Sequence, residues 1–130
     1  MKAARFHARH DIRVEDVPAP ALRAGTVAID IAWCGICGTD VHEYVEGPIF
    51  VPEADSAHPL TGVKPPVTLG HEFSGTVAEI GDGVEGLAVG DAVVVEPYVV
   101  CDECIPCRLG KYHLCTRIAV VGLAGDGGGL

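Results

Sequence analysis

The chain has 130 residues, 48% hydrophobic and only 5% aromatic, with a formal net charge of −9 at pH 7. That length suits one ordinary domain with a core of its own. The acidic balance argues against a nucleic-acid or anionic-membrane partner, and no apolar run approaches the roughly 20 residues a membrane span requires.

Glycine (17) and proline (9) make up one fifth of the chain, which favours short strands joined by tight turns over a helical bundle. Residues 3–7 and 12–17 read as two strands paired around His10-Asp11 as the turn. Val27, Ile29, Ile31 and Trp33 alternate with Ala28, Asp30, Ala32 and Cys34, the pattern of a half-buried strand. Thr39 to Val45 offers the one short helix, with Thr39 or Asp40 as its cap. Residues 46–66 hold five of the nine prolines and read as a long surface loop. A strand is expected at 72–80, a turn at Gly81-Asp82-Gly83, and another strand at Val93 to Val95. The expected fold is mainly β: a small, curved, mostly antiparallel partial barrel with irregular lobes.

The strongest chemical signal is Cys101, Cys104, Cys107 and Cys115, four thiols inside fifteen residues. Tetrahedral zinc with four thiolates is a common closed structural site. A bacterial iron–sulfur run places its fourth cysteine after three residues and before proline; here it follows after seven and precedes Thr116. No thioredoxin-like pattern surrounds the cysteine pairs to suggest a redox dithiol. The N-terminus MKAARFHARH has no apolar signal core. A cytoplasmic chain with reduced cysteines is therefore expected, and metal ligation is favoured over three disulfides. Four thiolates around zinc carry a formal charge of about −2; Arg108 and Lys111 in the same loop read either as offsetting it through N–H···S contacts or as simple surface charge.

A second constellation joins Cys37, just after a strand, to His71 and Glu72, just before one. A thiolate, an imidazole and a carboxylate from two loops make a ligand set for catalytic zinc, which keeps a position open for water or substrate. His7, His10, His58 and His113 have no motif neighbours and read as surface or loop histidines. Cys34, on the strand face opposite Trp33, reads as a small buried cysteine outside the metal set.

Gly70-His71-Glu72 followed by Gly75, Gly81 and Val84, together with Cys37-Gly38-Thr39-Asp40 and His42, resembles the two catalytic-zinc segments of the zinc-dependent medium-chain alcohol dehydrogenases. The four-cysteine lobe resembles that family's structural zinc site, and Val89-Gly90-Asp91 before Val93 its usual turn. Glu43-Tyr44 and Gly47-Pro48-Ile49-Phe50 are most similar to the 2,3-butanediol dehydrogenase subgroup. The resemblance implies a GroES-like catalytic domain over residues 1–130, with one structural and one catalytic zinc. Cys37 and His71 would bind the catalytic ion, and Glu72 would ligate it or stand behind it. Thr39 would hydrogen-bond the alcohol and take its proton. His42, near the cofactor ribose, would pass that proton to solvent as a general base. Asp40 would orient His71 by accepting its other ring N–H. For a full-length parent, the resemblance also implies NAD(P), a small alcohol, diol or ketone substrate, and homo-oligomers.

The nucleotide-binding domain that the family carries is not visible, and the stretch from Gly125 to Leu130 puts Leu130 where a third dinucleotide-binding glycine would stand. That stretch is read as the chain passing back into the barrel, not as a phosphate loop. The chain reads as ending in mid-domain, with one ligand of the catalytic zinc still to come. An open sheet edge and low solubility are expected when it is expressed alone. A stand-alone zinc module without catalysis is the alternative.

Overall fold

The computed structural model describes residues 1–125 and 127–130. Asp126, part of the glycine-rich stretch read above, lies outside the described residues. Strands β1 (Lys2–Ala8) and β2 (Asp11–Asp16) form an antiparallel hairpin running from Lys2 opposite Asp16 to Phe6 opposite Ile12. The hairpin turns at His10, and β4 (Val67–Thr68) pairs with the other edge of β1. A second sheet has β5 (Glu72–Ile80) at its centre, between β3 (Val27–Gly35) and β6 (Ala92–Val94). Strands β7 (Tyr98–Val99) and β8 (Ala119–Val120) pair separately, and the four-cysteine segment is the excursion between them. The mainly β expectation holds, but the described residues form three separate sheets and no closed barrel.

Phe6, Val51, Val67, Leu69 and Leu123 make the core, each 4% exposed or less. Burying a side chain of this size stabilises by about 1.5–3 kcal/mol. One of these residues, Val51, together with the partly buried Val63, corrects the loop expectation. Residues 47–66 form no helix and only reach a strand at Val67, but Val51 and Val63 pack into the centre from within that segment.

Helix α1 (Gly38–Glu46) begins two or three residues earlier than a Thr39 or Asp40 cap would place it. Cys37 is the capping position, and Asp40 reaches back to accept its backbone N–H at 2.9 Å. A third-position carboxylate that satisfies the amide of the capping residue is one half of a capping box. The helix is inside out: Asp40 (3% exposed) and Glu43 (0%) are buried, whereas Val41 is 52% exposed. Glu43 accepts backbone N–H groups from Ile49 (2.9 Å), Phe50 (2.5 Å) and Val51 (3.3 Å). It thereby fastens the following loop and delivers Val51 to the core.

The single-helix expectation needs a second correction. A four-residue helix α2 (Ile105–Arg108) and a 3-10 turn (Tyr112–Leu114) fold the cysteine lobe, with Pro106 in the first turn of α2, where a missing N–H costs nothing. The expected burial of the β3 face also fails, since Ile31 is 38% and Trp33 80% exposed. The pairing of β3 with β5 slips between Ala28 and Ile29 and again between Ile31 and Trp33. Each slip breaks the period-two alternation.

Residues 128–130 lie against the backbone of Thr68 to Gly70. Leu130 N–H bonds Leu69 O at 2.9 Å, and Ala4 N–H bonds Leu130 O at 3.0 Å. A Cβ on Gly128 would collide with the carbonyl oxygens of Thr68 and Leu69. Among the described residues no helix is long and apolar enough to cross a membrane.

Candidate metal centres

The first centre is built by chain spacing. The ligand atoms of Cys101, Cys104, Cys107 and Cys115 all lie within 4.8 Å of one another. Asp102, in the left-handed region at φ 56°, turns the chain so that following amides face back; Asp tolerates that conformation better than most residues. The N–H groups of Cys104 and Glu103, against the cost of burial, bring the Cys101 thiol down to about 6. Those of Cys107 and Thr116 lower the Cys104 thiol. Cys115 Sγ accepts the N–H of Cys101 and of Arg117, both at 3.4 Å. By contrast, burial first and then its neighbours Cys104 and Cys115 push the Cys107 thiol up to about 12. Four thiols this close cannot all ionise unaided. The amides supply part of the missing positive charge, and a cation supplies the rest.

Of the two readings of Arg108 and Lys111, surface charge holds, and Arg117 takes the charge-offsetting part. Its side chain hydrogen-bonds Cys101 and grips Glu103 at 2.5 Å, whereas Arg108 and Lys111 are exposed. Its place two residues after Cys115, at the start of the return to β8, was the available signal. Charge inside the cysteine loop drew attention away from it.

The second centre is assembled by tertiary structure. Cys37 caps α1; His71 and Glu72 stand where β5 begins, and Gly35 at the end of β3 pairs with Glu72. The ligand atoms of Cys37, His71 and Glu72 lie within 4.8 Å of one another. Asp40 braces two of the three elements. One oxygen accepts the Cys37 amide, and the other lies 3.5 Å from His71 Nδ1, with the two side chains 4% and 10% exposed. Asp40 Oδ1 and His71 Nδ1 are both buried without a hydrogen-bond partner. A metal held at His71 Nε2 fixes the proton on Nδ1, the tautomer that faces Asp40 Oδ1. The donor set therefore fits a zinc-type ion.

These residues line a cavity of about 600 Å³. Cys37, Thr39, His71 and Glu72 give it a polar end, and Trp33, Phe73, Val94, Val95, Pro97 and Tyr98 give it apolar walls. The Cys37 thiol donates to Thr39 Oγ1 at 3.6 Å. Among the sequence candidates, His42 alone stands apart, exposed on α1 and absent from the cavity lining. Cys34 is half-buried beside the cluster; burial, then the charge of Asp40, pushes its thiol up. His7 is a half-buried strand residue bonded to Glu15 at 3.0 Å, not a loop histidine. Glu43 also escaped sequence reading, although its three-residue offset from Asp40 places both carboxylates on one helix face.

Comparison with known proteins extends this picture. The profile of the Alcohol dehydrogenase GroES-like domain matches residues 23–130. The chain is 53% identical over 130 residues to (R,R)-butanediol dehydrogenase of Neisseria gonorrhoeae, covering 100% of this chain and 37% of that protein. The crystal structure of 2R,3R-butanediol dehydrogenase from Bacillus subtilis superposes with a TM-score of 0.90 at 52% identity, over 98% of this chain and 35% of that one. An Escherichia coli structure described as a short chain alcohol dehydrogenase complexed with NADH gives 0.78 at 34% identity, covering 98% and 34%. The chain thus spans about a third of the length of the relatives it matches. With residues 23–130 matched, it belongs to the alcohol dehydrogenase GroES-like domain family.

Proposed function

We propose that this chain is the zinc-binding part of the catalytic domain of an NAD(P)-linked oxidoreductase acting on small alcohols, diols or ketones, in the manner of 2,3-butanediol dehydrogenases. The observation that carries the reading is the meeting of Cys37, His71 and Glu72 beside Thr39 at the polar end of one cavity. When bound there, zinc supplies Lewis-acid chemistry that lowers the pKa of a hydroxyl.

The chain's own residues divide the remaining work. Asp40 holds the Cys37 amide and stands against His71 Nδ1, so a proton kept on that nitrogen leaves Nε2 free as a ligand. Thr39 Oγ1, 3.6 Å from the Cys37 sulfur, is placed to hydrogen-bond a substrate oxygen and receive its proton. His42, open to water on the same helix, is suited to release that proton to solvent. Trp33, Phe73 and Val94 supply apolar wall against the carbon skeleton of a short diol. Cys101, Cys104, Cys107 and Cys115 hold a second zinc that shapes the lobe between β7 and β8 and has no open position.

Metal analysis of the purified chain is expected to give about two zinc per molecule, falling to about one in Cys37→Ser. Trp33 is the only tryptophan and lines the cavity, so its emission reports occupancy. Titrating 2,3-butanediol into the zinc-loaded chain should change that emission, and Cys37→Ser should abolish the response. One zinc in the unsubstituted chain would instead favour a stand-alone structural module, and two zinc with no diol response would sink the substrate assignment.

A further inference from the structure

We propose that Cys34, which ligates no metal, is a positioning residue for the His71–Glu72 pair: its sulfur fills the notch at Gly70 and receives the Glu72 amide, fixing both ligands relative to Cys37. This rests on the reading of Cys37, His71 and Glu72 as a zinc site.

The first support is steric. Gly70 has φ 96°, and a Cβ placed on it would lie 2.8 Å from Cys34 Sγ and 2.8 Å from both Leu130 N and Leu130 Cγ. The residue just before His71 is thus closed from two sides, one of them by this sulfur. The second support is polar. The backbone N–H of Glu72 acts on the Cys34 sulfur as a hydrogen-bond donor, and the thiol hydrogen points to Gly35 O at 3.6 Å. One atom therefore bears on the residue before His71 and on the amide after it.

The third support is topological. In the β3–β5 pairing Cys34 lies opposite Phe73, and Gly35 opposite Glu72. Only Ile36 then separates that pairing from Cys37. The sulfur sits where the Cys37 loop leaves the sheet and the His71 loop enters it. Moving His71 away from Cys37 requires moving this atom. An ordinary small buried cysteine would fill volume without regard to its acceptor, and that difference can be measured.

The test uses the purified 130-residue chain, with zinc affinity at both sites measured by competition with a chromophoric chelator. Cobalt(II) spectra serve as a second readout. Cys37→Ser, which needs no Cys34 variant, marks which site is which. Cys34→Ala is expected to weaken that site about tenfold or more, to shift its cobalt d–d bands, and to leave the four-cysteine site unchanged. Cys34→Ser, whose oxygen still accepts the Glu72 N–H, is expected to recover most of the loss. Unsubstituted affinity in Cys34→Ala, equal losses in the two variants, or equal weakening of both sites would each overturn the proposal. Should Cys34→Ala fail to fold, Cys34→Val, which fills the volume without an acceptor, takes its place: a tenfold loss restored in Cys34→Ser supports the role, and unsubstituted affinity removes it. If Cys37→Ser leaves the zinc content unchanged, the zinc reading itself fails and takes this proposal with it. Two zinc with an indifferent Cys34 would remove the proposal only.

Discussion

The two ligand clusters differ in what assembles them. Cys101, Cys104, Cys107 and Cys115 lie within one excursion between β7 and β8, and amides of that same excursion and its return do most of the work of stabilising thiolates. Cys37 and the His71–Glu72 pair come from segments separated by the whole 47–66 loop, and α1, β3, β5 and Asp40 must all be in place before they meet. A cluster made by spacing survives wherever its loop folds. A cluster made by tertiary contacts is only as well formed as the domain around it.

The largest expected effect separates the two outright. Cys115→Ser replaces a buried ligand (5% exposed) and should remove one zinc per chain, forfeiting a binding free energy on the order of 10 kcal/mol. Hydrogen exchange should then speed up through residues 101–116 while Cys37, His71 and Glu72 keep their ion. Loss of both metals would break the comparison, because it would make the lobe a support of the second centre. Glu43→Ala tests the tertiary side. It strands three backbone N–H groups beneath α1 and should cost about 3–5 kcal/mol in denaturant unfolding, with zinc lost from the Cys37 site before the four-cysteine site. Equal loss would show that α1 serves both.

Asp40→Asn is narrower. Its amide can still accept from Cys37, but an NH2 now faces His71 Nδ1 and favours the proton on Nε2. Zinc affinity at that site alone should fall about 10–100-fold, or about 1.4–2.7 kcal/mol by chelator competition. Unchanged affinity would show that His71 needs no brace. Arg117→Gln should have the smallest effect, roughly a threefold faster zinc release from the four-cysteine site. The amides around Cys101 and Cys115 remain after the guanidinium is gone.

The same division explains what the chain discloses before it is folded. Strand β5 was readable to its ends, because EFSGTVAEI is bounded by the sharp Gly70 and Gly81 breaks, and the four-cysteine spacing is itself a geometry. The exposure of Trp33 was not readable, since it depends on two register slips against β5 that no alternation pattern on β3 reveals. Nor was Glu43: a carboxylate on a nine-residue helix reads as a solvated face until three amides six to eight residues on are seen to need it. The His71–Asp40 pairing was legible only through family resemblance. No pattern in the sequence links Cys34 to Gly70, since only the fold brings the two together.

The pairing of Leu130 between Ala4 and Leu69 carries a consequence for how the domain comes together. The earliest strand completes its hydrogen bonding with the last residue of the sequence. Contacts of such long sequence separation must meet their loop-closure entropy before any of their enthalpy returns. The β1–β2 hairpin can therefore form from local contacts, whereas the bond from Ala4 to Leu130 waits until two distant segments have been brought together.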